Sequence, residues 1–121
     1  MQTPRPEQVM NMMKERFGKL PKSIEDAAKV DPSLIVEQAI SSKLSMQSEK
    51  NTLDPKTSTL IFLAAALALG SEECVELNTK AAKKMGATNE EILSVIRIVR
   101  HAAASSVVGV ADAALKNLKE E

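Results

Sequence analysis

Ten consecutive apolar residues, Leu60 to Leu69, constrain this chain more than any other feature. The run is about half of the ~20 residues a membrane-spanning helix needs, so it reads as a buried core helix. Asp54-Pro55 precedes it and Gly70 closes it. Asp is a strong helix N-cap, Pro is favoured at the first helical position, and Gly takes the left-handed turn that ends a helix. A helix apolar nearly all round must be covered on all sides. In a chain of 121 residues, one domain can supply only part of that cover, and self-association supplies the rest.

The same punctuation recurs along the chain. A first helix is expected from Thr3 or Pro4 to Gly18, with Val9, Met10, Met13 and Phe17 at helical spacing. Met10, Met12 and Met13 read as packing residues. After Pro21, Ser23 is expected to cap a short helix with Asp26 three residues on. Asp31-Pro32 starts a third helix through Leu44, and Ser48 to Thr52 reads as a loop. Past Gly70, Ser71 is expected to cap a helix ending at Met85 and Gly86. Thr88 to Glu91 is a Thr-x-x-Glu capping box, and Ile92, Val95, Ile96 and Val99 form one stripe behind it. A slackening at Ser105, Ser106 and Gly109 is expected to set off a final helix through Leu118. No alternating strand pattern, repeat or linker appears. The expected fold is all-α, one domain over 1–121, with six or seven helices in a compact, oligomeric bundle.

Charge and composition exclude several function classes. Acidic and basic residues balance at 16 each, so the chain has no long-range attraction for phosphate backbones or anionic lipid. Without Trp or Tyr, and with only Phe17 and Phe62, it lacks base-stacking platforms. Neither a nucleic-acid nor a membrane partner is expected. The N-terminus shows no charged-then-apolar segment, so no signal peptide is expected and the location is expected to be cytoplasmic. The single cysteine, Cys74, has no partner for an internal disulfide. No metal-ligand cluster is visible, and no cofactor or metal is expected.

Chemistry concentrates in Gly70 to Thr79. If Ser71 is the N-cap, Cys74 is the third helical residue, where backbone N–H groups favour a thiolate. Glu72, Glu73 and Glu76 oppose it with nearby negative charge. Asn78 lies one turn beyond Cys74 on the same face, where an amide can orient a substrate or water but cannot act as a base. The plain alternative is that Cys74 is a small, partly buried core residue. His101, the only histidine, reads either as a helix-surface or interface residue or as a displaced proton carrier reaching Cys74 from a neighbouring helix or subunit. Arg97 and Arg100 read as a solvated face, though two guanidinium groups can also hold a carboxylate.

Leu53-Asp54-Pro55-Lys56-Thr57, Leu60-Ile61 and the Ala-Leu-rich run into Gly70 resemble the entry to the signature region of the carboxymuconolactone decarboxylase and alkyl hydroperoxidase D-like family. Thr79 to Ile92, with its Gly-Ala-Thr and acidic cap, resembles the continuation. The resemblance covers about Leu53 to Val99 and is looser over the N-terminal third, where Phe17-Gly18-Lys19-Leu20-Pro21 and Asp31-Pro32 also look familial. Peroxidase-type members resemble one another in a Cys-x-x-Cys pair followed by His, with a Glu about one helix earlier. The resemblance implies that the pair reduces peroxide while His and Glu relay protons. On this sequence the two Cys positions are Ser71 and Cys74, the His position is Asn78 and the Glu position is Thr59. The His kept by decarboxylase-type members is likewise Asn78 here.

Three functions remain open: a redox enzyme using Cys74 alone with an external thiol reductant, a lyase acting on a small carboxylated lactone, and a non-catalytic binding or scaffold protein. The resemblance further implies a homo-oligomer, a trimer or a hexamer. Thr59, Ser71, Cys74 and Asn78 are expected to line one small cavity.

Overall fold

The computed structural model of the chain describes residues 3–118. Within them it holds seven α-helices and no strand. They are α1 (Pro6–Phe17), α2 (Lys22–Val30), α3 (Pro32–Ser42), α4 (Pro55–Leu69), α5 (Glu72–Lys84), α6 (Asn89–Val110) and α7 (Asp112–Leu118). A π-helical turn, Lys43–Gln47, prolongs α3.

Local chemistry sets most of the boundaries. Asp31 accepts from the Ser33 N–H at 3.1 Å, and Asp54 accepts from the Thr57 N–H and hydroxyl, both at 2.8 Å. Each satisfies a helix-start amide that has no partner within its helix. Thr88 and Glu91 close the expected reciprocal box: Thr88 Oγ1 accepts from Glu91 N at 3.0 Å, and Glu91 Oε1 accepts from Thr88 N at 2.9 Å. Gly18 and Gly70 end α1 and α4 at φ +80° and +75°, a backbone region costly for any residue with a Cβ.

Three expected boundaries fall elsewhere. α1 starts at Pro6 with Arg5 as its N-cap, not at Thr3 or Pro4. Ser23 does not cap α2: the cap position is Pro21, and the Ser23 N–H and hydroxyl both donate to the Glu73 carboxylate. The slackening expected at Ser105, Ser106 and Gly109 is absent. The helix runs unbroken to Val110 and turns only at Ala111, whose N–H still bonds Val107 O at 2.9 Å. One helical glycine costs only about 1 kcal/mol, too little to break an otherwise bonded helix.

α4 and α5 form the centre, with α1 against α5, α3 against α1 and α2, and α6 against α4. Val9, Ile35, Leu63, Leu77, Ala81 and Ala82 make the core, and the alanines let helix backbones approach closely. Lys56 of α4 reaches Glu91 of α6 at 3.0 Å, and Asn51 ties the loop before α4 to Met46 O and Ser58 Oγ. The all-round cover expected for Leu60–Leu69 is incomplete in a single chain, since Ile61 and Leu69 are 52% and 84% exposed. The α6 stripe is half-buried at Ile92, Val95 and Val99 and exposed at Ile96.

The caps carry a pH dependence. Donors from Ser33, Thr57 and Thr88 hold the carboxyls of Asp31, Asp54 and Glu91 below the usual carboxylate range. A carboxyl depressed by folding adds stability above its unfolded value, and that stability is lost as pH falls through the lower folded value. The melting temperature is therefore expected to hold from neutral pH to about 5 and to fall steadily below about 4. Asp54→Asn keeps a capping oxygen but removes one titration, so it flattens that acid slope. A slope identical to that of the parent would rule Asp54 out as a contributor.

Candidate functional site

The site begins at the tight turn between α4 and α5. Ser71 N donates back to Ala66 O at 3.0 Å across Gly70, and Ser71 O accepts the first α5 bond, from Val75 N at 2.9 Å. Ser71 is thus the N-cap, although its hydroxyl makes no cap bond. Cys74 is the third residue of α5, part-exposed and in the first turn, where helix amide dipoles point toward an anion.

Two of the three neighbouring carboxylates are engaged away from the thiol. Glu73 takes both Ser23 donors, locking the start of α2 onto the start of α5. Glu76 accepts from Lys80 and Lys19, each at 3.1 Å, and these ammonium groups, Lys80 foremost, hold its carboxyl below the usual range. Both carboxylates are thus bound by donors or cations rather than left free beside Cys74.

Asn78 is 5% exposed, and its Nδ2 donates to the Cys74 carbonyl oxygen at 2.9 Å. The two residues share a helix face, with the Asn78 amide turned back onto the α5 backbone. Thr59 is 1% exposed on α4, and its hydroxyl donates to Met85 Sδ at 3.3 Å, at the far end of α5. Along the antiparallel α4–α5 pair, Thr59 lies about one turn further from the Gly70 turn than Asn78, toward Met85, whereas Cys74 lies nearer the turn. His101 is exposed on α6. Among the described residues, no hydrogen bond joins Cys74 to Thr59 or His101, and no three of His, Cys, Asp and Glu gather as metal ligands.

The arrangement offers a thiol at a helix start, an amide beside it and, among the described residues, no imidazole or carboxylate bonded to the sulfur. It can support nucleophilic attack by sulfur, but no described side chain stands ready as its base. The Ser23–Glu73 clamp was not anticipated, because it joins residues 50 positions apart and has no sequence signal. An open groove of about 830 Å³ lies further along α5, between the end of α1 and the start of α6.

Residues 42–118 match the carboxymuconolactone decarboxylase family. The fold is similar to the alkylhydroperoxidase AhpD core of Rhodospirillum rubrum, with a TM-score of 0.72 and 26% identity, covering 88% of this chain and 78% of that one. An uncharacterized protein of Methanocaldococcus jannaschii is 45% identical over 47 residues, which span 39% of this chain and 44% of that relative.

Proposed function

The chain belongs to the carboxymuconolactone decarboxylase family, and from that premise we propose that it is a one-cysteine, thiol-dependent peroxide reductase of low intrinsic rate that works as a homo-oligomer. The observation that carries this reading is the placement of Cys74 at the first turn of α5, part-exposed, with Glu73 and Glu76 drawn off to Ser23, Lys19 and Lys80. The Cys74 thiolate attacks one oxygen of a peroxide. The O–O bond breaks, the sulfur becomes a sulfenic acid, and the departing alkoxide takes a proton from water. Ser71 cannot resolve that sulfenic acid. An external thiol forms a mixed disulfide with Cys74 and releases water; a second thiol then frees Cys74 and leaves as the disulfide.

The low rate follows from the neighbours. With Asn78 and Thr59 in place of a base and its carboxylate partner, no side chain among the described residues stands ready to pass protons, and general acid–base catalysis worth about 10²–10⁴-fold is expected to be missing. Peroxide consumption is expected to be slow, to require added thiol, and to fall to background in Cys74→Ser. A sulfenic-acid probe should label the parent after peroxide treatment and leave Cys74→Ser unlabelled. Undiminished turnover in Cys74→Ser would exclude the thiol as the reactive group.

One observation favours a second reading, a non-catalytic binding or scaffold protein: Asn78 Nδ2 and the Thr59 hydroxyl donate to the Cys74 carbonyl and to Met85 rather than toward the thiol. Complete absence of sulfenic-acid labelling would favour it.

A further inference from the structure

The groove along the second half of α5 is apart from the thiol: Cys74 opens the helix, and Lys83 and Lys84 end it about 14 Å further along the axis. Phe17, Ile92 and Leu93 give the groove an apolar lining, and Lys80, Lys83 and Lys84 supply ammonium groups. Among the described residues no carboxylate lines it. Lys80 is neutralised by Glu76, but Lys83 bonds the amide oxygen of Asn89 and Lys84 bonds the Arg16 carbonyl oxygen at 3.1 Å. Both of these acceptors are neutral, so two cationic charges at one apolar groove stand uncompensated.

Lysines in a last turn complement the helix dipole, which accounts for Lys83 and Lys84 ending α5. It does not account for an aromatic ring and two branched aliphatic side chains gathered in the same groove. The groove, about 830 Å³, is open to solvent along its length; like small-molecule sites it pairs an apolar lining with a few polar groups, but it seats one side of a ligand rather than enclosing it. We propose that this groove binds a small amphipathic carboxylate, its chain or ring against Phe17, Ile92 and Leu93 and its carboxylate at the rim that carries Lys83 and Lys84. Charge complementarity selects the occupant: a neutral apolar molecule leaves both ammonium groups without an anion, and a cation is repelled.

The test is a titration of the whole protein with decanoate, followed by amide and methyl NMR shifts. Saturable shifts are expected around Phe17, Thr79 and Leu93. The exposed-lysine double variant Lys83→Ala/Lys84→Ala is expected to bind at least about tenfold more weakly, the effect of losing charge-assisted hydrogen bonds. Leu93→Asp changes a half-exposed residue and is expected to weaken binding by a similar factor while the circular dichroism spectrum stays helical. Decyltrimethylammonium, with the same chain and opposite charge, is expected not to saturate. The proposal is overturned by any of four results: decanoate that fails to saturate, shifts centred elsewhere, equal affinity in the double variant, or equal binding of the cation.

Discussion

Light scattering at micromolar concentration is expected to give a trimer or a hexamer, three or six times the 13.1 kDa of one chain. Over its 22 residues α6 buries no side chain, and every residue from 100 to 110 is exposed. Ile98, Val107, Val108 and Val110 lie 66–78% exposed, and Leu115 and Leu118 extend the apolar surface onto α7. These side chains point to several sides of the helix, so its C-terminal half projects uncovered from the chain and marks an interaction surface. By length and composition α6 could also cross a membrane, but Arg97 and Arg100 stand near its middle, and each costs at least about 2.5 kcal/mol there. A second copy of the chain is the cover expected for these valines. Ile98→Glu with Val107→Glu places carboxylates on opposite sides of the uncovered helix, and the mass is expected to fall to that of a single chain with helicity retained. A parent protein that is already monomeric at micromolar concentration would defeat the idea.

Rebuilding the familial constellation is expected to produce the largest gain. The triple variant Thr59→Glu/Ser71→Cys/Asn78→His places a dithiol at the start of α5, an imidazole one turn later, and a carboxylate across the α4–α5 interface. Thiol-dependent peroxide reduction should rise by about a hundredfold or more over the parent, the scale of one positioned base plus a resolving thiol. The gain should exceed the product of the single effects, because the groups act as a unit. Stability gives an independent check. Thr59 is 1% exposed, so Thr59→Glu alone buries a carboxyl without a cationic partner and should cost about 2–4 kcal/mol. Adding Asn78→His should recover part of that cost, since the two positions lie on facing helices about one turn apart along the axis. A triple variant that folds and forms a disulfide between Cys74 and the thiol introduced at position 71, yet reduces no peroxide, would favour the binding or scaffold reading. Additive stabilities would place positions 59 and 78 out of reach of each other.

The sequence alone determined the all-helical fold and most helix starts and stops. Asp31-Pro32, Asp54-Pro55, Thr88 to Glu91, Gly18 and Gly70 all act within a few residues of themselves, so their effects are written locally. The spacing of Ser71, Cys74 and Asn78 is equally local, because one helical turn brings residues four apart together. Tertiary structure decided where a polar group had competing partners. Ser23 had the chemistry of a cap, but Glu73, 50 residues away, took both of its donors. Thr59 was identified by position alone; its hydroxyl went to Met85 because α5 packs antiparallel to α4 and brings its far end alongside. The uncovered face of α6 was also hidden in the sequence, since an apolar stripe reads the same whether its partner is in the same chain or another. Periodicity specifies that a surface must be covered, and only the arrangement of the helices shows which surface is left without a neighbour.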